Sequence, residues 1–152
     1  NPELLIAYEP GTALDVIVQV QVLSIMEELR KKLNLGMILI THDLSTVADT
    51  CDKVAIMYAG KIAEYADVLD LFEEPLHPYT QGLIHAFPNI RSARTRMTSI
   101  PGSPPDLLSP PQGCRFHPRC PHAKSVCKTE EPTSTKMSGK EHLVACHLYD
   151  GV

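Results

Sequence analysis

Several features that would narrow the function at once are missing from this chain of 152 residues. It has no tryptophan and only 5% aromatic residues, which predicts a core of small aliphatic side chains. Its strongest apolar runs, at 4–8 and 37–41, are strand-sized and far short of the roughly 18 residues that cross a bilayer. A net charge of −4 argues against general binding of nucleic acid.

A signal peptide is also missing, because the start NPELLIAYEP has neither a basic region nor a long apolar region. We therefore expect a cytosolic protein, in which disulfides are rare. The chain begins at Asn1 and its first methionine is Met26, so we further expect a piece of a longer gene product.

Strand-like and helix-like segments alternate over residues 1–87. The predicted elements are a strand at 4–8, a helix at 15–32, a strand at 37–42, a short helix at 44–51, a hairpin that turns at Ala59-Gly60, and short helices at 67–74 and 78–87. Continuous apolar strands are typical of buried parallel sheets. The alternation therefore predicts an α/β fold with a mostly parallel sheet, and the apolar stripe Val16, Val20, Leu23 and Leu29 is expected to pack in its core.

The composition changes after Phe87. Five prolines fall within the eleven residues from Pro101 to Pro111, which predicts an extended tether over 88–113. A small irregular, cysteine-rich module is expected at 114–152. The sequence therefore predicts three parts, at 1–87, 88–113 and 114–152.

Four of the five cysteines form a ladder in the last part: Cys114, Cys120, Cys127 and Cys146. In a cytosolic chain such a group favours a metal over disulfides. The intervening stretches of five and six residues suit a 4Fe–4S cluster better than the tight CxxC pairs of zinc sites. Zinc, disulfides and idle thiols remain open as alternatives.

Basic and histidine side chains surround the ladder. The cations Arg115, Arg119, Lys124 and Lys128 are expected to lower the pKa of the thiols. Further possible ligands, expected to lie behind the thiols or to face solvent, are His117, His122, His142 and His147.

Carboxylate and imidazole groups follow the two predicted strands of the first half. Glu9 ends the first strand and could polarise an attacking water, while His42 ends the next strand and could reach a terminal phosphate. Asp15 opens the helix between them. Either strand-end residue alone could simply belong to a turn, but their order and spacing favour phosphate chemistry.

The strings that hold these residues resemble the second half of the nucleotide-binding subunit of an ABC transporter. LLIAYEP resembles the Walker B strand, with Glu9 as the catalytic glutamate. TALD resembles the D-loop, with Asp15 facing a partner subunit, and ITHD resembles the switch region, with His42 contacting the γ-phosphate. The resemblance implies a partial P-loop NTPase sheet over 1–87 that lacks its Walker A half.

The segment from HPYTQGL to VACHL resembles the C-terminal extension of the dipeptide and oligopeptide importer branch. The resemblance implies ATP and Mg²⁺ as ligands, and a second ATP-binding subunit and membrane permease subunits as partners. It also implies a place at the inner face of the plasma membrane. That family's extension is reported to carry a 4Fe–4S cluster, which points to the same four cysteines.

The chain departs from the family pattern in several ways. Tyr8 stands where the family has the aspartate that holds Mg²⁺, and Gly11 stands where threonine is usual. No GxxxxGK followed by Ser or Thr is present, and no LSGGQ-like signature. We therefore expect this chain alone neither to bind ATP well nor to hydrolyse it. The alternative is a non-enzymatic iron–sulfur or zinc module, regulatory or structural, with a decayed nucleotide site.

Overall fold

The computed structural model describes residues 2–86 and 100–151, and within them the chain has the predicted α/β class. It divides into two compact units, Asn1–Cys51 and Asp52–Val152. One unit contains a parallel pair of strands and the other an antiparallel sheet. No helix in the described part is both long and apolar enough to span a membrane.

The first unit is a strand–helix–strand crossover followed by a short helix. Its elements are β1 (Leu4–Tyr8), α1 (Val16–Leu33), β2 (Gly36–Ile40) and α2 (Leu44–Thr50). β1 and β2 are parallel, with Leu4 opposite Gly36 and Tyr8 opposite Ile40. Both strands therefore end at the same edge, where their loops meet.

Helix α1 begins and ends where the sequence predicts. The Asp15 carboxylate caps its N-terminus by accepting from the backbone N–H of Val18 at 2.9 Å. Asn34 adopts the left-handed conformation at its C-terminus, with φ of 52°. The last turn is basic, which suits the negative end of the helix dipole.

The prediction that the apolar stripe of α1 is core packing is wrong for the described unit. Val16 and Val20 are 77% and 61% exposed, and α1 contains no buried residue. The prediction of a buried first strand is also wrong, because only Ala7 of β1 is buried. Two strands present too little surface to cover an 18-residue helix.

The second unit is built on a four-stranded antiparallel sheet in the order β3-β4-β6-β5. Its elements are β3 (Lys53–Tyr58), β4 (Lys61–Asp67), α3 (Val68–Glu73), α4 (Pro78–Ala86), β5 (Ser134–Lys136) and β6 (Leu143–Ala145). The mostly parallel sheet was therefore a wrong prediction for the described residues. Ala59 and Gly60 both have positive φ and form a two-residue turn, and so short a turn joins antiparallel strands only.

The core of the second unit draws on both ends of its sequence. Ala66, Leu71 and Val144 are fully buried, and Glu64 of β4 lies opposite Val144 of β6. The C-terminal segment thus completes the sheet that the hairpin begins. The predicted tether lies partly outside the described residues, and its part from Ile100 onward contains no helix or strand. The three-part division stays a prediction.

Candidate functional site

Glu9 and His42 meet at the carboxyl end of the parallel pair. Glu9 follows β1 with φ of 47°, and its backbone N–H donates to the carbonyl of Ile40 at 2.8 Å. Its carboxylate Oε1 lies 2.9 Å from Nδ1 of His42, and its Oε2 accepts from the Thr12 hydroxyl at 3.1 Å. The structure therefore brings together the two residues that the sequence singled out for phosphate chemistry.

Each member of this pair changes the charge state of the other. The hydrogen bond from His42 is the main cause that lowers the pKa of Glu9, and the bond to Glu9 is the main cause that raises the pKa of His42. Glu9 therefore stays ionised and His42 holds its proton to higher pH than usual. An ionised carboxylate can accept a proton from water, and an imidazole N–H can donate to a phosphate oxygen.

A cleft of about 320 Å³ opens beside the pair. Its walls are the loop at 10–13, the first turns of α1 with Gln19 and Leu23, and the segment at 41–43. Asp15 and Tyr8 are not among its lining residues. Asp15 uses its carboxylate to cap α1, and Tyr8 is 75% exposed. The assignment of Asp15 to a partner subunit stays a prediction.

Asp43 and Gln19, which the sequence pattern did not single out, link α1 to α2 at this end of the parallel strands. Asp43 caps α2 by accepting from the backbone N–H of Ser45 at 2.9 Å, and its other oxygen accepts from the Thr46 hydroxyl at 2.7 Å. These bonds lower the pKa of Asp43. Gln19 donates to both Asp43 and Thr46. The Asp43 cap was visible in sequence as an Asp before a helix, but no local pattern marks Gln19.

The four cysteines of the ladder are brought together as thiols. Cys127 and Cys146 are buried, Cys114 and Cys120 are half-buried, and none of the four is in a disulfide. Burial, strengthened by the three neighbouring thiols, raises the pKa of Cys146 to about 11. The backbone N–H of Cys114 donates to the carbonyl of Cys127 at 2.9 Å. The assignment of the four as metal ligands stays a prediction.

The expectation that nearby cations lower the thiol pKa is wrong for three of the thiols. Burial raises the pKa of Cys114, Cys120 and Cys146. Three of the four cations bond backbone carbonyls instead: Arg115 donates to the Ala59 carbonyl, Arg119 to the Pro101 carbonyl at 2.7 Å, and Lys124 to the His147 carbonyl at 2.7 Å. Among the described residues, no group of three or more His, Cys, Asp or Glu is spaced to hold a metal ion.

Three of the four nearby histidines have partners other than a metal. His117 Nδ1 lies 2.9 Å from the Cys114 carbonyl, and His142 Nε2 lies 2.6 Å from Glu64. His147 bonds Asp150 at 2.8 Å and the Glu130 carbonyl at 3.0 Å. His122 is exposed.

Residues 63–127 match a family model described as the oligopeptide/dipeptide transporter C-terminal region. Nearly the whole chain is similar to curated ATP-binding proteins. The dipeptide transport protein DppD of Caldanaerobacter subterraneus is 45% identical over 150 residues, covering 99% of this chain and 46% of the relative. The oligopeptide transport protein OppD of Salmonella typhimurium is 49% identical over 146 residues, covering 96% and 43%. This chain therefore spans less than half the length of these relatives.

Proposed function

Since the chain belongs to the family of ATP-binding subunits of dipeptide and oligopeptide ABC transporters, we propose that it supplies the water-activating edge of a subunit that drives peptide import by ATP hydrolysis. The observation that carries this proposal is the Glu9–His42 pair at the ends of two parallel strands. Open α/β sheets bind ligands at this edge. The non-enzymatic alternative finds no support among the relatives.

In the proposed reaction Glu9 orients and polarises the attacking water. Its carboxylate is ionised and is fixed from two sides, by His42 and by the Thr12 hydroxyl. His42 keeps a second ring nitrogen, Nε2, for an oxygen of the terminal phosphate. Bound ATP supplies the phosphoryl group, and this chain's residues supply positioning and charge.

Tyr8 does not fit a Mg²⁺ site. A phenol is neutral near pH 7, with an ordinary pKa of about 10, whereas Mg²⁺ prefers carboxylate and water oxygens. In the full subunit we propose that Mg²⁺ depends on groups outside this chain, at reduced affinity.

The resemblance to peptide importers also implies partners and a location for the subunit. We propose that the subunit works with a second ATP-binding subunit, which the loop ending at Asp15 would face, and with membrane permease subunits. Its place would be the cytoplasmic side of the plasma membrane, and no nucleic acid takes part.

The ladder of Cys114, Cys120, Cys127 and Cys146 is proposed to hold a 4Fe–4S cluster. Four thiols that share one region and lack disulfides fit the thiolate set that such clusters use. The tight CxxC pairs that zinc sites use more often do not occur in the ladder, whose cysteines are separated by five, six and eighteen residues. When bound, the cluster would hold together a segment with few buried apolar residues.

Anaerobic purification followed by iron, sulfide and zinc analysis tests the cluster. We expect iron and sulfide in equal amounts, about four of each per chain, lost in Cys146→Ser and kept in the matched control Cys51→Ser. Zinc at about one per chain, or no metal at all, would contradict the proposal.

The hydrolytic role is tested by Glu9→Gln in the subunit that contains this chain. ATP hydrolysis should fall by about 100-fold or more while ATP binding is retained, because the amide cannot act as a base. Glu3→Gln, an exposed carboxylate ahead of β1, is the matched control and should leave hydrolysis unchanged. An unchanged rate in Glu9→Gln would refute the assignment.

A further inference from the structure

Gln19 joins the two loops that carry the candidate site. It lies one turn into α1, where its backbone N–H donates to the Asp15 carbonyl at 2.9 Å. Its side-chain Nε2 donates to Asp43 Oδ2 at 3.2 Å and to Thr46 Oγ1 at 3.1 Å. The side chain is half-buried, and both bonds span more than twenty residues of sequence.

The partner of Gln19 directly follows His42 in the chain. The Asp43 carboxylate accepts hydrogen bonds from Ser45 and Thr46 in the first turn of α2, and these bonds fix the position of Asp43. Asp43 N–H also donates to the Thr41 hydroxyl at 3.1 Å. A group that immobilises Asp43 therefore also limits where His42 can lie.

The same amide packs against the loop that follows Glu9. A Cβ atom placed on Gly11 would lie 2.7 Å from Cδ of Gln19 and 2.8 Å from its Cγ. The glycine thus lets the Gln19 side chain approach the loop backbone closely. One side chain contacts the loops of both Glu9 and His42.

We propose that Gln19 is a positioning residue that holds the Asp43 segment against the start of α1 and thereby sets His42 relative to Glu9. The inference rests on the proposed function of that pair. Because Gln19 follows the Asp15 loop by a single turn, a displacement of that loop by the proposed partner subunit would be transmitted through the amide to His42. A merely structural amide would stabilise the unit without this effect.

Hydrogen exchange on this chain tests the mechanical link without ATP. In Gln19→Leu the backbone amides of Ser45 and Val47, which donate to the carboxylate and the carbonyl of Asp43, should exchange about 10-fold faster or more, because the Asp43 cap loses its anchor. Gln21→Leu, an exposed glutamine on the same helix, is the matched control and should leave them unchanged. Unchanged exchange at these amides in Gln19→Leu would overturn the proposal.

Kinetics of the subunit that contains this chain test the catalytic consequence. Gln19→Leu should lower kcat for ATP about 10- to 100-fold with KM within 2-fold, since a displacement near 1 Å costs that much in rate. In the double variant with Asp43→Asn, Gln19→Leu should lower kcat little further, because both substitutions disrupt the same Gln19–Asp43 hydrogen bond. Fully additive losses of kcat in the double variant, or an effect of Gln19→Leu that is confined to KM, would overturn the proposal. If the unmodified subunit does not hydrolyse ATP, the proposed function fails and the exchange result alone decides on Gln19.

Discussion

The carboxylate of Glu64 and the imidazole of His142 lie 2.6 Å apart, and their side chains are 0% and 2% exposed. Glu64 also accepts from the backbone N–H of Leu76 at 2.8 Å and of His77 at 2.9 Å. One buried carboxylate thus fixes β4, the segment before α4 and the residue that leads into β6. Its satisfied bonds are what make its burial tolerable.

Replacing His142 with alanine should destabilise the second unit by about 1–3 kcal/mol, because the buried Glu64 side chain loses one of its three hydrogen-bond partners and keeps only the backbone N–H groups of Leu76 and His77. Urea unfolding followed by circular dichroism measures this loss. Glu141→Gln breaks the exposed contact with Lys53 next to it and serves as the control, with an unfolding midpoint close to that of the unmodified chain. Equal midpoints for the two variants would contradict the structural role of the Glu64–His142 pair.

His77 should make the second unit less stable in mild acid. Burial lowers the pKa of His77 to about 4, a shift that the nearby Glu64 partly opposes. Between pH 6.5 and 4 the unfolded chain therefore binds a proton that the folded chain refuses, so the free energy of unfolding falls as the pH falls. The loss attributable to His77 approaches about 3 kcal/mol at pH 4, at 1.36 kcal/mol per unit of pKa.

The measurement is the free energy of unfolding at several pH values between 4 and 7, in the unmodified chain and in His77→Asn. The variant should lose most of this slope, although it also loses the bond that His77 Nδ1 accepts from the Tyr79 N–H. His85→Asn, at an exposed position near the end of α4, should keep the slope. If the free energy of unfolding of His77→Asn still falls as the pH falls, another titratable group causes this dependence.

Gly113→Ala should disrupt the cysteine ladder far more than Gly60→Ala. Both glycines have positive φ, so each substitution carries a conformational cost of about 1–2 kcal/mol. A Cβ on Gly113 would also lie 2.5 Å from the Cys127 carbonyl oxygen, whereas a Cβ on Gly60 meets only the Arg115 guanidinium at 3.3 Å. The flexible Arg115 side chain can move away from the added methyl group, but the Cys127 carbonyl, which accepts from the Cys114 N–H, cannot.

Thermal unfolding and iron content of the two glycine variants provide the comparison. We expect a clearly lower midpoint and reduced iron for Gly113→Ala, and a modest shift with normal iron for Gly60→Ala. Similar behaviour of the two would mean that contact with the Cys127 backbone does not limit the position of Cys114.

The parts of this structure that follow local rules could be predicted from sequence. Asp15 and Asn34 mark the ends of α1 because capping depends on residues a few positions away. The meeting of Glu9 and His42 followed from one fact, that consecutive parallel strands end at the same edge.

The remaining features depend on contacts that no local pattern encodes. Glu64 and His142 are 78 residues apart in sequence, and Gln19 and Asp43 are 24 apart. The pKa of the Cys146 thiol was predicted in the wrong direction because proximity in sequence says nothing of where a cation points. Exposure of the α1 stripe was missed for a related reason, since periodicity marks an apolar face but not what covers it.

Tyr8→Asp in the subunit that contains this chain should raise Mg²⁺-dependent ATP hydrolysis by about 10-fold or more. Tyr8 is 75% exposed, so its removal costs little packing, and the new carboxylate offers Mg²⁺ an oxygen that the phenol lacks. The measurement is the initial rate of phosphate release as a function of Mg²⁺ concentration, where the variant should saturate at lower Mg²⁺.

Tyr8→Phe is the matched control, because it removes the hydroxyl without adding a carboxylate, and it should not raise the rate. If Tyr8→Asp leaves both the rate and the Mg²⁺ dependence unchanged, then the phenol is not what limits hydrolysis. Glu9 and His42 would still form the observed pair, and the limiting group would have to lie in the parts of the subunit outside this chain.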